Sequence, residues 1–271
     1  MNMLFPSDKT IHFVSGLWLF EGNPKHSESE YLRLLPETMK LISGQSDTLT
    51  FFCGDERTIE AVERQASDHP NFSSRLEPNL DKSNPDIASL IASNTAGVSR
   101  AFQLFPQVTG RLPFPRAIRH DKSFRKFFGQ VRRSNLETYS KMVQVYFCRL
   151  FLMEKLAFAC VKDSNPEAVL CWIDAGFGRR VKQDPDLRRG YSFDINYINH
   201  LPSPMYFLGR RQEISGKLVL ATASNWIWLA EKFREESKRL LRWRYLHDDE
   251  TVMNWIWRSE HSRFTRLTPV P

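Results

Sequence analysis

Cysteine is scarce in this chain of 271 residues, and its four cysteines follow no metal-binding or disulfide pattern. Cys53, Cys148, Cys160 and Cys171 form no Cys-x-x-Cys pair and have no histidine at metal-ligand spacing. A zinc site and a disulfide framework are therefore not expected. Cys53 and Cys171 lie inside apolar runs typical of strands, where a reduced cysteine acts as a small hydrophobic residue.

The sequence also lacks a long uncharged hydrophobic run. The longest apolar stretch, residues 142–159, is interrupted by Gln144, Arg149, Glu154 and Lys155, so it predicts a buried helix rather than a membrane span. The first eight residues have neither the basic nor the apolar region of a signal peptide. We expect a soluble, cytoplasmic protein in a reducing compartment.

Several catalytic signatures are missing as well. The sequence contains no Gly-x-Ser-x-Gly and no His-Glu-x-x-His, which disfavours the common hydrolases. No zinc-finger, RNP or Walker signature is present, so nucleic acid is disfavoured as a partner.

The composition that is present predicts one folded domain over residues 1–271. Hydrophobic residues make up 41% of the chain and aromatic residues 13%, enough for a sizeable core. Lys and Arg number 38 against 31 Asp and Glu, a net charge of +7. This surplus favours an anionic partner such as a nucleotide phosphate or a phospholipid surface, without choosing between them.

Strand and helix patterns alternate along the first third of the chain. An apolar run over residues 10–20 predicts a strand, and the helical spacing that follows it over residues 31–42 predicts a helix that Pro36 begins or kinks. Residues 48–53 predict a buried strand, and a second helix begins near Thr58. This alternation predicts an α/β fold with a mostly parallel central sheet flanked by helices.

The second half continues the pattern after an irregular segment. A helix is predicted over residues 141–159, an uninterrupted apolar strand over 168–173, a short strand over 217–221 and helices over 226–243 and 251–257. Residues 97–135, rich in Phe, Pro and basic residues, predict an insertion or lid. The basic part of this segment, residues 111–133, has three interpretations. It could contact an anionic membrane surface, bind nucleic acid, or form a solvated loop with no partner.

Three strand ends are candidate ligand contacts, because ligands of open α/β sheets bind at the carboxyl ends of the strands. They are Ser15-Gly16, Gly54-Asp55 and Asp174-Ala175-Gly176. Asp174 is the best single candidate, since a carboxylate ending an apolar strand must be solvated, paired or metal-bound. Alternatively, Asp174 only caps a turn.

Two neighbouring features fit a phosphate-bearing ligand. Gly176 permits close approach of a ligand, and Arg179 and Arg180 follow at once, so their charges can neutralise phosphate oxygens beside a carboxylate-held divalent cation.

The run 247–250, His-Asp-Asp-Glu, also has two readings. Asp249 or Glu250 could be the general base that deprotonates an acceptor hydroxyl, and His247 a metal ligand or phosphate contact. Alternatively, the three acids only begin the last helix, where negative charge is favourable.

The order of these elements resembles a GT-A-type glycosyltransferase, with a Rossmann-like sheet. The residues that carry the resemblance are the strand ending Gly-Asp at residue 55, Ser140-Lys141, and Trp-Ile-Asp-Ala-Gly at 172–176. The Trp-Ile-Asp-Ala-Gly run, together with the run 248–252, resembles the HtrL/YibB-like bacterial family. That family is associated with surface-polysaccharide or lipopolysaccharide assembly. The resemblance covers residues 10–53 and 140–264 and leaves the basic middle segment out.

The resemblance implies a nucleotide-sugar donor and a glycan or lipid-linked acceptor, with contact to the inner face of a membrane. Donor-binding residues would be Ser15, Gly16, Asp55, Lys141, Asp174, Gly176, Arg179 and Arg180. A divalent metal, Mn²⁺ or Mg²⁺, would use Asp174 and His247. The sequence departs from the family's Asp-x-Asp motif, since Gly176 stands at its third position, while the full Asp184-Pro185-Asp186 lies in a charged loop.

Two other functions compete with glycosyl transfer. A nucleotidyltransferase would consume a nucleoside triphosphate, but no Gly-rich phosphate loop follows the first strand. A non-catalytic interaction protein would use its basic segment as a binding surface.

Overall fold

A computed structural model describes residues 10–21, 23, 27–43, 48–67, 69, 71–80, 85–104, 136–177, 191–192, 205–210, 213–242, 246 and 248–269. Seven strands in this part of the chain form one sheet: β1 (Ile11–Leu17), β2 (Thr48–Cys53), β3 (Phe72–Leu76), β4 (Val169–Ile173), β6 (Met205–Arg210), β7 (Glu213–Thr222) and β8 (Phe264–Arg266). Two short strands, β5 (Tyr191–Ser192) and β9 (Thr268–Pro269), pair separately.

The sheet is mostly parallel, as the sequence predicts. Its strand order is β3-β2-β1-β4-β7-β6-β8, and β1 to β4 run in one direction. β7 runs antiparallel to its neighbours β4 and β6, and β8 is parallel to β6. β1 therefore lies where the strand order reverses, with β2 on one side and the later β4 on the other.

Six helices accompany the sheet in the described residues: α1 (Glu28–Ser43), α2 (Glu56–Gln65), α3 (Pro85–Leu104), α4 (Leu136–Lys162), α5 (Ala223–Leu240) and α6 (Asp249–Ser259). Side chains cap several of the helix starts, and two of these caps have hydrogen bonds shorter than 3 Å. The Asp55 carboxylate accepts from the Thr58 N–H at 2.7 Å, and the Asp248 carboxylate accepts from the Thr251 N–H at 2.9 Å. These bonds satisfy donors that a helix start leaves open.

Hydrophobic cores lie on both faces of the sheet. On one face, Leu35 and Met39 of α1 and Val62 of α2 pack against alternate residues of β1 and β2. On the other face, α4, α5 and α6 pack against the intervening strand residues. Every residue of β4 is buried, which explains its uninterrupted apolar sequence.

Two helices extend further along the chain than the sequence pattern indicates. α1 begins at Glu28 and has Pro36 inside it, because the polar residues before Tyr31 already form helix. α3 continues through Gly97 to Leu104, so helix covers the first part of the predicted insertion. A single glycine lowers helix propensity without ending the helix, whereas Pro106 follows shortly after the observed end.

None of the described helices is long and apolar enough to cross a membrane. The four cysteine thiols are free, and Cys53, Cys148 and Cys171 are buried. Burial raises the pKa of the Cys53 thiol to about 12, with the charges of Asp55 and Glu63 adding to the effect. This thiol is therefore an inert core group at neutral pH.

Candidate active site

A cleft opens at the carboxyl ends of β1 and β4, where the strand order reverses. We call it the β1–β4 cleft. Its volume is about 580 Å³, including the part that is open to solvent. It is lined by Gly16, Leu17, Trp18, Phe20, Asn23, Tyr31, Met142, Val145, Tyr146, Arg149, Trp172, Asp174 and Ala175. Sheet edges of this kind are the usual ligand sites of open α/β folds.

Asp174 is held at the edge of this cleft by the turn that ends β4. The backbone N–H of Asp174 donates to the Lys217 carbonyl at 2.8 Å, and its backbone carbonyl accepts from the Phe177 N–H at 2.8 Å. One carboxylate oxygen accepts from the Gly176 N–H at 2.8 Å. A Cβ at position 176 would lie 3.1 Å from that oxygen, so glycine leaves the carboxylate in place. Asp174 therefore caps a turn and also lines the cleft, and its role as a ligand contact stays a prediction.

Two tyrosines share the cleft with Asp174. Tyr31 comes from α1 and Tyr146 from α4. Burial raises the pKa of both hydroxyls, and the negative charge of Asp174 raises each further. Both tyrosines are therefore neutral at physiological pH and can take part in hydrogen bonding as O–H groups.

Trp18 forms an aromatic wall over the ends of β1 and β2. Its indole N–H donates to the Glu77 carbonyl at 2.9 Å. A Cβ at Gly16 would meet the ring at 2.5 Å, and one at Gly54 would meet it at 2.6 Å. The two glycines that the sequence places at these strand ends therefore make room for a tryptophan. Of the two, Gly16 lines the cleft.

Arg149 connects the cleft to the acidic start of α6. It is 8% exposed, and its guanidinium forms an ion pair with Asp249, which is 1% exposed, and donates to the Gly216 carbonyl. The Gly216 N–H donates to a Glu250 carboxylate oxygen at 3.1 Å. Burial lowers the pKa of Arg149, and the charges of Glu250, Asp174 and Asp248 oppose that shift. Asp174, at the end of β4, and the three acids at the start of α6 thus act on the same guanidinium.

The acids 248–250 occupy three different positions. Asp248 caps α6, and Asp249 is buried against Arg149, which does not suit a base that must meet an acceptor. Glu250 is half-buried and uses one oxygen for the Gly216 N–H, so it is the remaining candidate for that role.

Four predicted donor-binding residues lie outside the cleft lining: Gly176, described above, and Ser15, Asp55 and Lys141. Ser15 is fully buried, and its hydroxyl donates to the Ile173 carbonyl at 2.7 Å, where it joins β1 to β4. Asp55 caps α2, and Lys141 forms an exposed ion pair with Glu137 at 2.8 Å. Each of these three side chains has a partner within the fold, and donor binding by them stays a prediction.

Other predicted residues lie outside the described part of the chain. These are Arg179, Arg180, His247, the Asp184-Pro185-Asp186 run and the segment 111–133. Within the described residues, no group of three His, Cys, Asp or Glu side chains could hold a metal ion. Because His247 lies outside the described residues, the predicted Mn²⁺ or Mg²⁺ site of Asp174 and His247 stays a prediction.

Sequence reasoning missed the helix residues of the cleft. Tyr31, Tyr146 and Arg149 come from α1 and α4, and Trp18 and Trp172 from the strand ends. Trp172 lies in the Trp-Ile-Asp-Ala-Gly run that the sequence analysis singles out, and Arg149 left a signal as one of the charges in a mostly apolar helix, where arginine is rarely buried unless paired.

Comparisons with known proteins do not place the chain in a family. Neither protein-family models nor curated proteins match it. Among solved structures, it is similar to the apo form of mouse xyloside xylosyltransferase 1, with a TM-score of 0.42 and 10% sequence identity over 96% of this chain and 85% of that chain. A likeness this distant establishes no relationship, so the resemblance to the HtrL/YibB-like family stays a prediction.

Proposed function

We propose that this protein is a GT-A-like glycosyltransferase that moves a sugar from a nucleotide-diphosphate donor to a glycan or a lipid-linked glycan precursor. One observation carries the proposal: a carboxylate, Asp174, ends the fully buried β4 in an aromatic-walled cleft at the reversal of the strand order. That edge is where open α/β sheets bind nucleotide ligands.

In this proposal the donor lies across the ends of β1 and β4. Gly16 makes room for the Trp18 ring that walls the cleft, Asp174 faces the donor, and Gly176 keeps its carboxylate in place. Arg179 and Arg180, which follow along the chain, would offset the diphosphate charge. Glu250 is the candidate base for the acceptor hydroxyl.

A titration of uridine, guanosine and cytidine diphosphates and their sugars, with and without Mn²⁺, tests this proposal. We expect at least one nucleotide sugar to bind, and Asp174→Asn to weaken that binding by roughly ten- to a hundredfold, the range for a hydrogen bond to a charged group. Asparagine keeps an acceptor for the Gly176 N–H, so the fold should be retained.

Asp163→Asn is the matched control. This exposed aspartate precedes β4 and so lies at the opposite edge of the sheet, and its loss should leave binding unchanged. Equal affinities of the two variants would contradict the assignment of Asp174. Release of pyrophosphate from a nucleoside triphosphate would instead indicate a nucleotidyltransferase, and failure of every nucleotide to bind would favour an interaction protein.

A further inference from the structure

Trp172 lines the cleft, and its indole N–H is a buried donor with no acceptor among the described residues. Trp172 is 5% exposed and lines the β1–β4 cleft, and its Nε1 is buried without a hydrogen-bond partner. An unpaired buried donor costs about 1–3 kcal/mol, so folded proteins rarely contain one without a reason.

Two other buried indoles show that this fold can supply acceptors. Trp226, in the same hydrophobic cluster and 1% exposed, donates to the Leu170 carbonyl at 3.0 Å. Trp18 donates to the Glu77 carbonyl at 2.9 Å. Trp172 differs from both in standing next to the cleft carboxylate, two positions before Asp174.

A second unpaired donor belongs to Arg149, which also lines the cleft. Its two terminal nitrogens contact Gly216 and Asp249, whereas its Nε is buried and has no hydrogen-bond partner in the described part of the chain. The cleft residues thus include two unpaired N–H donors and, in Asp174, a carboxylate that only accepts. Hydroxyl groups satisfy both kinds of group, because a hydroxyl donates and accepts.

The charges around Arg149 favour neutral hydroxyls over phosphate at this point. The Arg149 guanidinium carries one positive charge. It is paired with Asp249 and also experiences the negative charges of Asp174, Asp248 and Glu250. A further anion would add to this surplus of negative charge. The aromatic rings of Trp18, Tyr31 and Tyr146 suit a ring-shaped ligand with apolar faces.

We propose that Trp172 is a specificity-determining residue whose Nε1–H donates to an oxygen of a sugar ring that lies beside Asp174 in the β1–β4 cleft. The identification of that ring as the sugar of the nucleotide donor rests on the proposed function, whereas the sugar site itself does not. The probes are therefore sugars with and without a nucleotide.

The indole N–H signals of ¹⁵N-labelled protein give a direct readout. The wild-type protein is assigned by triple-resonance spectroscopy, so the test does not depend on a variant that folds. Methyl glycosides of glucose, galactose and mannose are added, and then UDP-glucose, UDP-galactose and GDP-mannose, with UDP and GDP alone as references. We expect at least one sugar-bearing probe to shift the Trp172 signal and the bare nucleotides to leave it in place.

Two matched substitutions complete the test. Trp172→Phe removes the N–H and should weaken the effective probe about three- to tenfold, the range for one neutral hydrogen bond. Trp226→Phe removes an N–H already bonded within the fold, and should lower stability while the affinity stays unchanged.

Each outcome decides the inference. A Trp172 signal that no sugar-bearing probe moves, or that UDP or GDP alone moves equally, overturns it. A shift caused by a methyl glycoside, with no nucleotide binding at all, supports the sugar site and contradicts the proposed glycosyl transfer.

Discussion

Arg149 is the residue at which the separate parts of the site meet. It lies in an apolar helix and is buried, a position that arginine takes only when its charge is matched. Asp249 supplies the matching charge and the Gly216 carbonyl accepts a hydrogen bond. The sequence marks Arg149 only as an interruption of an apolar run, because nothing local identifies a partner so far along the chain.

Removing the charge of Asp249 should destabilise the protein strongly. Asp249→Asn removes the carboxylate that is paired with the buried Arg149 guanidinium, and breaking a buried pair in this way costs about 3 kcal/mol or more. Urea denaturation of the variant measures the loss. Glu137→Gln is the control, since the Glu137–Lys141 pair is exposed and should contribute little. A similar small effect at both positions would show that the buried pair does not stabilise the fold.

Among the elements, those with a long hydrophobic pattern are the ones that the sequence predicts. β4 is apolar throughout because both of its faces are covered, and α4 appears as one extended apolar stretch. β3, β6 and β8 were not predicted; of these, β3 and β8 are short and largely polar strands at the two edges of the sheet. Edge strands need less burial, so their sequences carry a weaker signal.

Strand β7 should depend on a glycine at position 216. A Cβ there would overlap the Arg149 guanidinium, which is held by Asp249 and the Gly216 carbonyl. We expect Gly216→Ala to lower the free energy of unfolding by about 1–3 kcal/mol, as overpacking of a tight interior does. Ser215→Ala, at the neighbouring position of the same strand, should have a smaller effect in the same denaturation assay. A neutral Gly216→Ala would mean that Arg149 can move aside freely.

At the scale of the whole molecule, the topology of the sheet explains which residues of the cleft could be predicted from the sequence. Parallel strands place their carboxyl ends at one edge, so Gly16 and Asp174 could be predicted to lie there together. Tyr31, Tyr146 and Arg149 reach the same cleft from helices. Their contribution depends on how each helix is rotated against the sheet, which packing decides and hydrophobic periodicity leaves open.

The stability of the whole molecule should depend on pH through a polar ladder across β1, β2 and β3. The His12 ring and the Thr50 hydroxyl lie 2.8 Å apart, and Thr50 and Ser73 hydroxyls lie 3.1 Å apart. Burial lowers the pKa of His12, and the positive charge of Arg75 lowers it further. The folded protein therefore resists protonation at His12, whereas the unfolded chain takes up a proton near pH 6.5.

It follows that the contribution of His12 to the free energy of unfolding is fully present above pH 6.5 and decreases as the pH falls below that value. His12→Gln keeps a hydrogen-bonding side chain without a titrating group. The free energy of unfolding of the wild-type protein should therefore fall relative to that of the variant between pH 7.5 and pH 5.5. Denaturant titrations of both proteins at these two pH values measure the difference. Because both proteins share every other titrating group, a constant difference would show that His12 has the same pKa in the folded and unfolded states.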